Sequence, residues 1–581
     1  MKKLSSLLVF IFCLIPFLSD AWILRDEFTT NRAAGAIDDT AAEPTGTRDV
    51  ATDTNSKLTI GSGLLTFATG GAAAGDPGLW YTQLTRVAGL TLIGEITPDG
   101  TTNASIGIGW DANQAGAQTN SLNLAADGYL QAVVNGGTAI TVGSYTAASH
   151  KLGISLRATG AYYWAKLGAD TSWELYWIGA ADSGNNHPSY SALGTSAIAT
   201  SSFIRIPNTL WLPSPLASDG FSVSGTTDGK GHAEGVAGGI GEGGGGLAWQ
   251  SGGTTWSVSG GKAVNTPTVG DTSLWDAGAD TFESGIYGWV KYGNNTVEND
   301  NGKLKITYVD HGYGAKNSLV EAGDLTEPLT IGQWYMFTAD MMTAKTGQGD
   351  AFYISDGSTT INLAWVTSNT MTPYNISFRA LSANGDFAYI GEMSAGDVFY
   401  IDNISLKPLT LSELVNTVQT STQDVIATIN TPTLQVTGVW GGVALNVDSA
   451  TNPQNMVIGL TNTYRATLTK MVNGVWTEVI SGKIKWVSNA ELRVIKDGTT
   501  YRLYYNNLLV GTATISDESI INNTRHGLFS TDAANTLDNF TLYARGTGGE
   551  YTVLDGLMNY EVPFPGGNPP AGGLTLINAG N

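Results

Sequence analysis

The sequence predicts an all-β chain built of multiple antiparallel jelly-roll β-sandwiches. Three observations carry that prediction. Gly makes up 74 of 581 residues and charged residues only 14%, which with abundant Thr, Ser, Asn, Val and Tyr suits short strands joined by tight turns. No long helical period appears outside residues 411–428. One run of strand patterning occurs twice: Asp111 leads to Val134-Asn135-Gly136 and then Leu156-Arg157, and Asp448 leads to Val472-Asn473-Gly474 and then Leu492-Arg493. Asp to Val spans 23 and 24 residues, and Val to Leu spans 22 and 20. Drifts of this size are what loop changes between fixed strands produce.

The chain opens as a secretory signal over 1–21. Lys2-Lys3 precede an apolar run from Leu7 to Leu18, and Ser19-Asp20-Ala21 offers small residues for cleavage before Trp22. Twelve apolar residues fall short of a bilayer core of about 30 Å. A secreted, extracellular protein with no membrane insertion after cleavage is expected, an uncleaved anchor or a mis-assigned start codon being the other reading. The one cysteine, Cys13, lies inside this segment, so the mature chain would carry neither disulfides nor thiolate metal sites.

A first sandwich is expected over 22–215, from Asp26-Glu27-Phe28 to Phe203-Ile204-Arg205-Ile206-Pro207. It ends where Trp211-Leu212-Pro213-Ser214-Pro215 breaks the strand pattern. A second opening follows at Ser218-Asp219-Gly220-Phe221. The glycine run 241–246 reads as a loop. Residues 254–259 and 262–265 read as a hairpin around Gly260-Gly261.

Sequence of different character then runs from about 271 to 410, with alternation at Leu304, Ile306 and Tyr308 and at Trp334 and Met336. The repeat resumes only after it. The second sandwich is therefore expected to be discontinuous, built from 216–270 plus 411–546 around an inserted domain at 271–410. The first copy has 194 residues and the second 191 in two pieces. Insertion at a hairpin costs little when domain termini lie close together. The Gly- and Pro-rich tail 547–581 is expected to be flexible.

The Asp-x-Phe openings, the Leu-Arg of the repeat with Lys496-Asp497-Gly498, and the closing Asp538-Asn539-Phe540 make the first and third units resemble the concanavalin A-like lectin and glucanase superfamily in its laminin-G-like form. The first unit departs from that pattern, since its last strands carry no Asp-Asn-Phe. Phe282-Glu283-Ser284-Gly285 with Trp289, and Ile401-Asp402-Asn403-Ile404, make the insert similar to jelly-roll carbohydrate-binding modules. The string of modules also resembles multi-module surface proteins of phage and environmental metagenomes.

The second resemblance implies a structural calcium held between Glu283 in the first strand and Asp402 in the last, with Asp280 and backbone carbonyls completing a shell of hard oxygen ligands. The alternative is a pair of ordinary strand-end carboxylates. Tyr287, Trp289, Tyr292 and Trp365 are candidates for stacking on the apolar face of a sugar, as are Tyr162 and Trp164 of the first unit. Core packing is the competing use of each, and Trp334, alternating with Met336, reads as core. Alternation puts Tyr162 and Trp164 on one face and Tyr163 on the other.

Catalytic signals are few. No strand carries the alternating carboxylates that glucanases of the lectin-like superfamily use, no zinc spacing surrounds the five histidines, and the glycine run lacks the Gly-Lys-Ser/Thr of a phosphate loop. A net charge of −21 disfavours nucleic acid as a partner and suits solubility and divalent cations. The expected activity is non-catalytic binding of a polysaccharide or cell-surface glycan. The alternatives are a structural or adhesive phage or virion-surface appendage, and a glycoside hydrolase with an unrecognised carboxylate pair.

Overall fold

A computed structural model describes residues 22–545, apart from loops of which the longest are 69–77, 112–118 and 222–248, together with Ile577–Asn578. The segment 1–21 expected to be a secretory signal, the glycine run 241–246 and nearly all of the tail lie outside the described residues. The described chain is almost wholly antiparallel β, with helices of only four residues. It divides into two compact units, one running to Ser214 and resuming at Ala544, the other Pro215–Tyr543.

The first unit is a sandwich of a ten-stranded and a seven-stranded sheet. Tyr190 of the smaller sheet reaches across to Gly94 of the larger, where an added Cβ would stand 2.2 Å from its hydroxyl; that hydroxyl donates to the Phe203 carbonyl at 2.7 Å. The opening strand Trp22–Asp26 ends in a buried ion pair, with Arg48 Nη2 2.6 Å from Asp26 Oδ1 and the Tyr81 hydroxyl donating to Asp26 Oδ2.

In the second unit, Ala217–Asp219, Trp256–Ser259 and Lys262–Asn265 share one eight-stranded sheet with Val425–Thr433, Ala490–Asp497 and Thr536–Ala544. Segments from both sides of residues 271–410 thus build one sheet, packed on a six-stranded partner around Ile429, Leu445, Leu468, Leu492 and Phe540. The hairpin turn Gly260-Gly261 has both φ values positive, 59° and 74°, as a two-residue turn of this kind requires. Residues between these segments form a separate pair of five-stranded sheets.

The repeat is visible in the strand order. Both six- and seven-stranded sheets run as a meander from the hairpin at the Val-Asn-Gly turn. In each copy the turn Asn has φ 50°, and its N–H donates to an Asn side chain of the preceding strand region: Asn135 to Asn120 at 3.2 Å, Asn473 to Asn455 at 3.0 Å. The Leu-Arg pairs, however, are not equivalent. Arg157 pairs with Gly160 at the closed end of its hairpin, where the second copy has Asp497 paired with Thr500; Leu492-Arg493 lies at the other end of that strand.

The helical period at 411–428 yields one turn, Leu411–Leu414, followed by strands Val415–Gln419 and Val425–Thr433. β-Branched residues dominate there, and pairing with Arg525–Ser530 and Ala490–Asp497 buries both strands.

Candidate ligand-binding cleft

The site is created by one two-faced strand. In Trp334–Thr343 the side chains of Tyr335, Phe337, Ala339 and Met341 enter the core of the inserted sandwich. Trp334 and Met336, on the opposite face, join a different core with Trp440, Ala444, Met456, Ile458, Leu460, Met471 and Phe529 of the six-stranded sheet. Alternation along a strand forces this division. The Trp334–Met336 alternation therefore does mark core, but a core shared by two modules. Polar contacts seal the seam. Asn462 Nδ2 donates to Asn362 Oδ1 at 2.9 Å, Asn375 Nδ2 to Asp532 at 2.9 Å, and the Ser377 and Thr531 hydroxyls bond at 2.6 Å.

Beyond the apolar seam the modules part to leave a cleft of about 820 Å³. Trp334, Tyr353, Arg379 and Leu381 line it from the insert, and Trp440, Tyr464, Arg465, Thr467, Thr469, Trp476, Glu478, Ser481 and Lys483 from the second sandwich. Strands Arg465–Val472 and Val475–Lys483 supply most of the second wall, their outward residues alternating with Ala466, Leu468 and Ile480 in the core behind. Trp476 meets Trp334 edge-on at 6.5 Å between centroids, and the Arg379 guanidinium lies 5.1 Å from the Trp476 ring. Arg465 Nη2 is 2.9 Å from Glu478 Oε1. Burial pulls the Arg379 pKa down to about 10, opposed by the charge of Glu478.

Of the six aromatics proposed from sequence, the five that fall in the described residues do not line this cleft. Trp289, 1% exposed, is in the core of the insert, 6.5 Å from Phe352, so it presents no face to a ligand. Tyr162 and Trp164 are buried, as is Tyr163 on the other face of the same strand. Trp164 Nε1 donates to Ser155 at 3.0 Å and the Tyr163 hydroxyl to Val133 O at 2.9 Å. Both faces of that strand are buried at these positions, so none of the three rings offers a sugar platform. Tyr287 (36% exposed) and Trp365 (37% exposed) do reach the surface, Tyr287 with its hydroxyl bonded to Ser284 Oγ at 2.8 Å. Tyr292 lies outside the described residues.

The acidic group sits elsewhere on the insert. Asp402 lies in the last strand, Val398–Pro408, but Glu283 occupies a turn rather than a first strand; Phe282 before it is held at φ 52°, which strand geometry excludes. Asp280 is joined to that last strand through its carbonyl, which accepts the Ile404 N–H at 2.9 Å. Asp340 faces Asp402 across the ladder. Burial pushes the Asp402 carboxyl above its usual range, and Asp340 and Glu283 push it further, against the Asn403 N–H and Lys303. Among the described residues no three His, Cys, Asp or Glu side chains converge on one point.

No protein-family model matches the chain, and no curated protein does. Solved structures with similarity to parts of it include a carbohydrate binding module from Bacillus subtilis, at 16% identity and TM-score 0.19 over 22% of this chain and 81% of that one. Another is the pair of CBM22-1 and GH10 modules of endo-1,4-beta-D-xylanase 10B from Clostridium thermocellum, at 19% identity and TM-score 0.18 over 22% of this chain and 27% of that one. A beta-1,3-glucanase from Mycobacterium marinum is similar at 15% identity and TM-score 0.22, over 32% of this chain and 99% of that one.

Apart from Trp334, which reads as core, the cleft residues carry no joint signal in the sequence because the two walls come from strands far apart in it. The one local signal was Trp476, three residues after Asn473 and alternating with Glu478 on an exposed hairpin arm.

Proposed function

We propose that this chain is an exported carbohydrate-binding protein that holds a saccharide between its inserted and second sandwiches without cleaving it. The observation that carries this reading is the cleft itself. It combines Trp476, Tyr464 and Tyr353, each half-buried, with a rim of Arg465, Glu478, Ser481 and Lys483. Ring faces match the C–H face of a pyranose, and rim groups take its hydroxyls. A volume of about 820 Å³ falls within the ~300–1,000 Å³ of small-molecule sites. The non-hydrolytic part rests on Glu478 being the one carboxylate among the described lining residues, already bound to Arg465, whereas glycoside hydrolysis uses two.

A glycan array probed with the full chain tests this reading. Trp476→Ala should weaken binding of any hit about tenfold, the worth of one stacked ring at roughly 1–3 kcal/mol. Silence across plant, algal and bacterial polysaccharides would move the assignment to a structural or adhesive role. Release of reducing ends would make it a hydrolase.

Calcium at Glu283 and Asp402, with Asp280, is a second part of the proposal. Its support is that the Asp280 carbonyl is bonded to Ile404, two residues from Asp402 in the last strand, and that Asp340 pairs with Asp402 across the ladder; backbone oxygens would have to complete the shell. Millimolar calcium should raise the melting temperature of the full chain, and Asp402→Asn should abolish the shift. No calcium-dependent shift removes the site.

A further inference from the structure

The cleft inverts the charge balance of the chain. Acidic residues outnumber Lys and Arg by 50 to 29 in the sequence, yet the cleft is lined by Arg379, Arg465 and Lys483 against Glu478 alone. One of the three cations is neutralised, since Arg465 holds Glu478 at 2.9 Å. Among the described residues Arg379 has no such partner. Its guanidinium is stacked on Trp476, its Nε is buried with no acceptor among the described residues, and the acid whose charge reaches it is the Glu478 already engaged by Arg465.

A part-buried cation that has given up water without gaining a counter-ion costs free energy that a bound anion returns. A second buried donor on the cleft wall points the same way. Trp334 Nε1 is a buried donor with no acceptor among the described residues, and like a guanidinium it can only donate. Exposed Lys483 at the rim adds a mobile positive charge.

We propose that the ligand of this cleft is an anionic saccharide whose carboxylate or sulfate pairs with Arg379, with Lys483 reinforcing it at the rim. The inference rests on the glycan-binding reading above and narrows it to one ligand class. A guanidinium suits either anion, because its planar fork matches two oxygens at once. An acidic saccharide is favoured over nucleic acid because the cleft sets its cations among ring faces suited to a pyranose, whereas binding a phosphate backbone needs a longer basic footprint than three cations supply.

The test is calorimetric titration of the full chain with polygalacturonate, alginate, hyaluronate and chondroitin sulfate. Each is set against its esterified, carboxyl-reduced or desulfated counterpart, with neutral xylan and a short single-stranded DNA alongside. At least one acidic form should bind about tenfold more tightly than its neutralised counterpart, with an advantage that shrinks as salt is raised and disappears in Arg379→Gln. Lys483→Gln, at an exposed position, supplies the same reading with part of the effect if Arg379→Gln does not fold. Preference for chondroitin sulfate over hyaluronate assigns sulfate, and the reverse assigns carboxylate. Equal binding of charged and neutralised forms, still lost in Trp476→Ala, overturns the anion assignment and leaves glycan binding standing. Binding of the DNA without any saccharide, or binding of none of these probes, overturns both.

Discussion

His526 shows how a single side chain becomes legible only when folded. It lies wholly buried in the strand Arg525–Ser530. One ring nitrogen faces the Thr422 carbonyl at 3.0 Å, and the other accepts the Asn446 N–H at 3.3 Å, which assigns the neutral form with its proton toward Thr422. Burial lowers its pKa from 6.5 to about 4. A base held neutral in the fold contributes stability that is fully present above pH 6.5 and is lost as pH falls toward 4. The shift corresponds to about 3 kcal/mol. Urea unfolding between pH 7 and pH 4.5 should therefore show a steeper loss of stability in the native chain than in His526→Gln. Equal slopes would show that His526 carries no such linkage.

Recurring backbone devices also belong to this scale. Phe28, Phe221 and Phe282 all sit at positive φ, between 48° and 54°, two residues after an Asp, and all are buried. A bulky residue accepts that conformation only when its surroundings enforce it. In the first and second sandwiches the Asp also accepts the Phe N–H, at 3.2 Å from Phe28 and 2.8 Å from Phe221. Asn403 and Asn539 form a second such pair, each at positive φ with its N–H bonded to the preceding Asp. The opening and closing motifs noticed in the sequence are these local bends.

At the scale of elements, the strand Trp334–Thr343 decides most. Its odd-numbered face completes the inserted sandwich, while Trp334 and Met336 cover the outer face of the six-stranded sheet. Trp334→Ala should cost about 3–5 kcal/mol, the loss expected for truncating a buried aromatic, although its side chain lies outside the core of its own module. It should also loosen the cleft by removing the edge contact to Trp476. Denaturation of this variant measures the first effect and saccharide titration the second. Wild-type stability in Trp334→Ala would show that the seam is not a core.

At the scale of the second unit, that seam joins the modules more firmly than a linker would. An apolar core and the buried Asn362–Asn462 bond couple the inserted sandwich to the sandwich that it interrupts. Scanning calorimetry should accordingly show residues 215–543 unfolding in one transition, displaced as a whole by Trp334→Ala. A separate early transition belonging to 271–410 would show that the insert melts on its own.

The strand-rich class, the duplicated hairpin with its Asn-Gly turn and the alternation that marks buried faces were legible in the order of the residues. These follow from local chemistry: β-branched and aromatic residues favour strands, glycine and asparagine accept positive φ, and period-two patterning assigns sides. That order could not separate core aromatics from ligand-facing ones, because alternation names a face without saying what covers it. Trp164 and Tyr163 lie on opposite faces of one strand, and both are buried; Trp334 faces away from its own core and is buried all the same. Only the tertiary structure brought Arg379 against Trp476 across almost a hundred residues of sequence, because a site formed where two modules meet depends on packing between strands whose sequences carry no mark of each other.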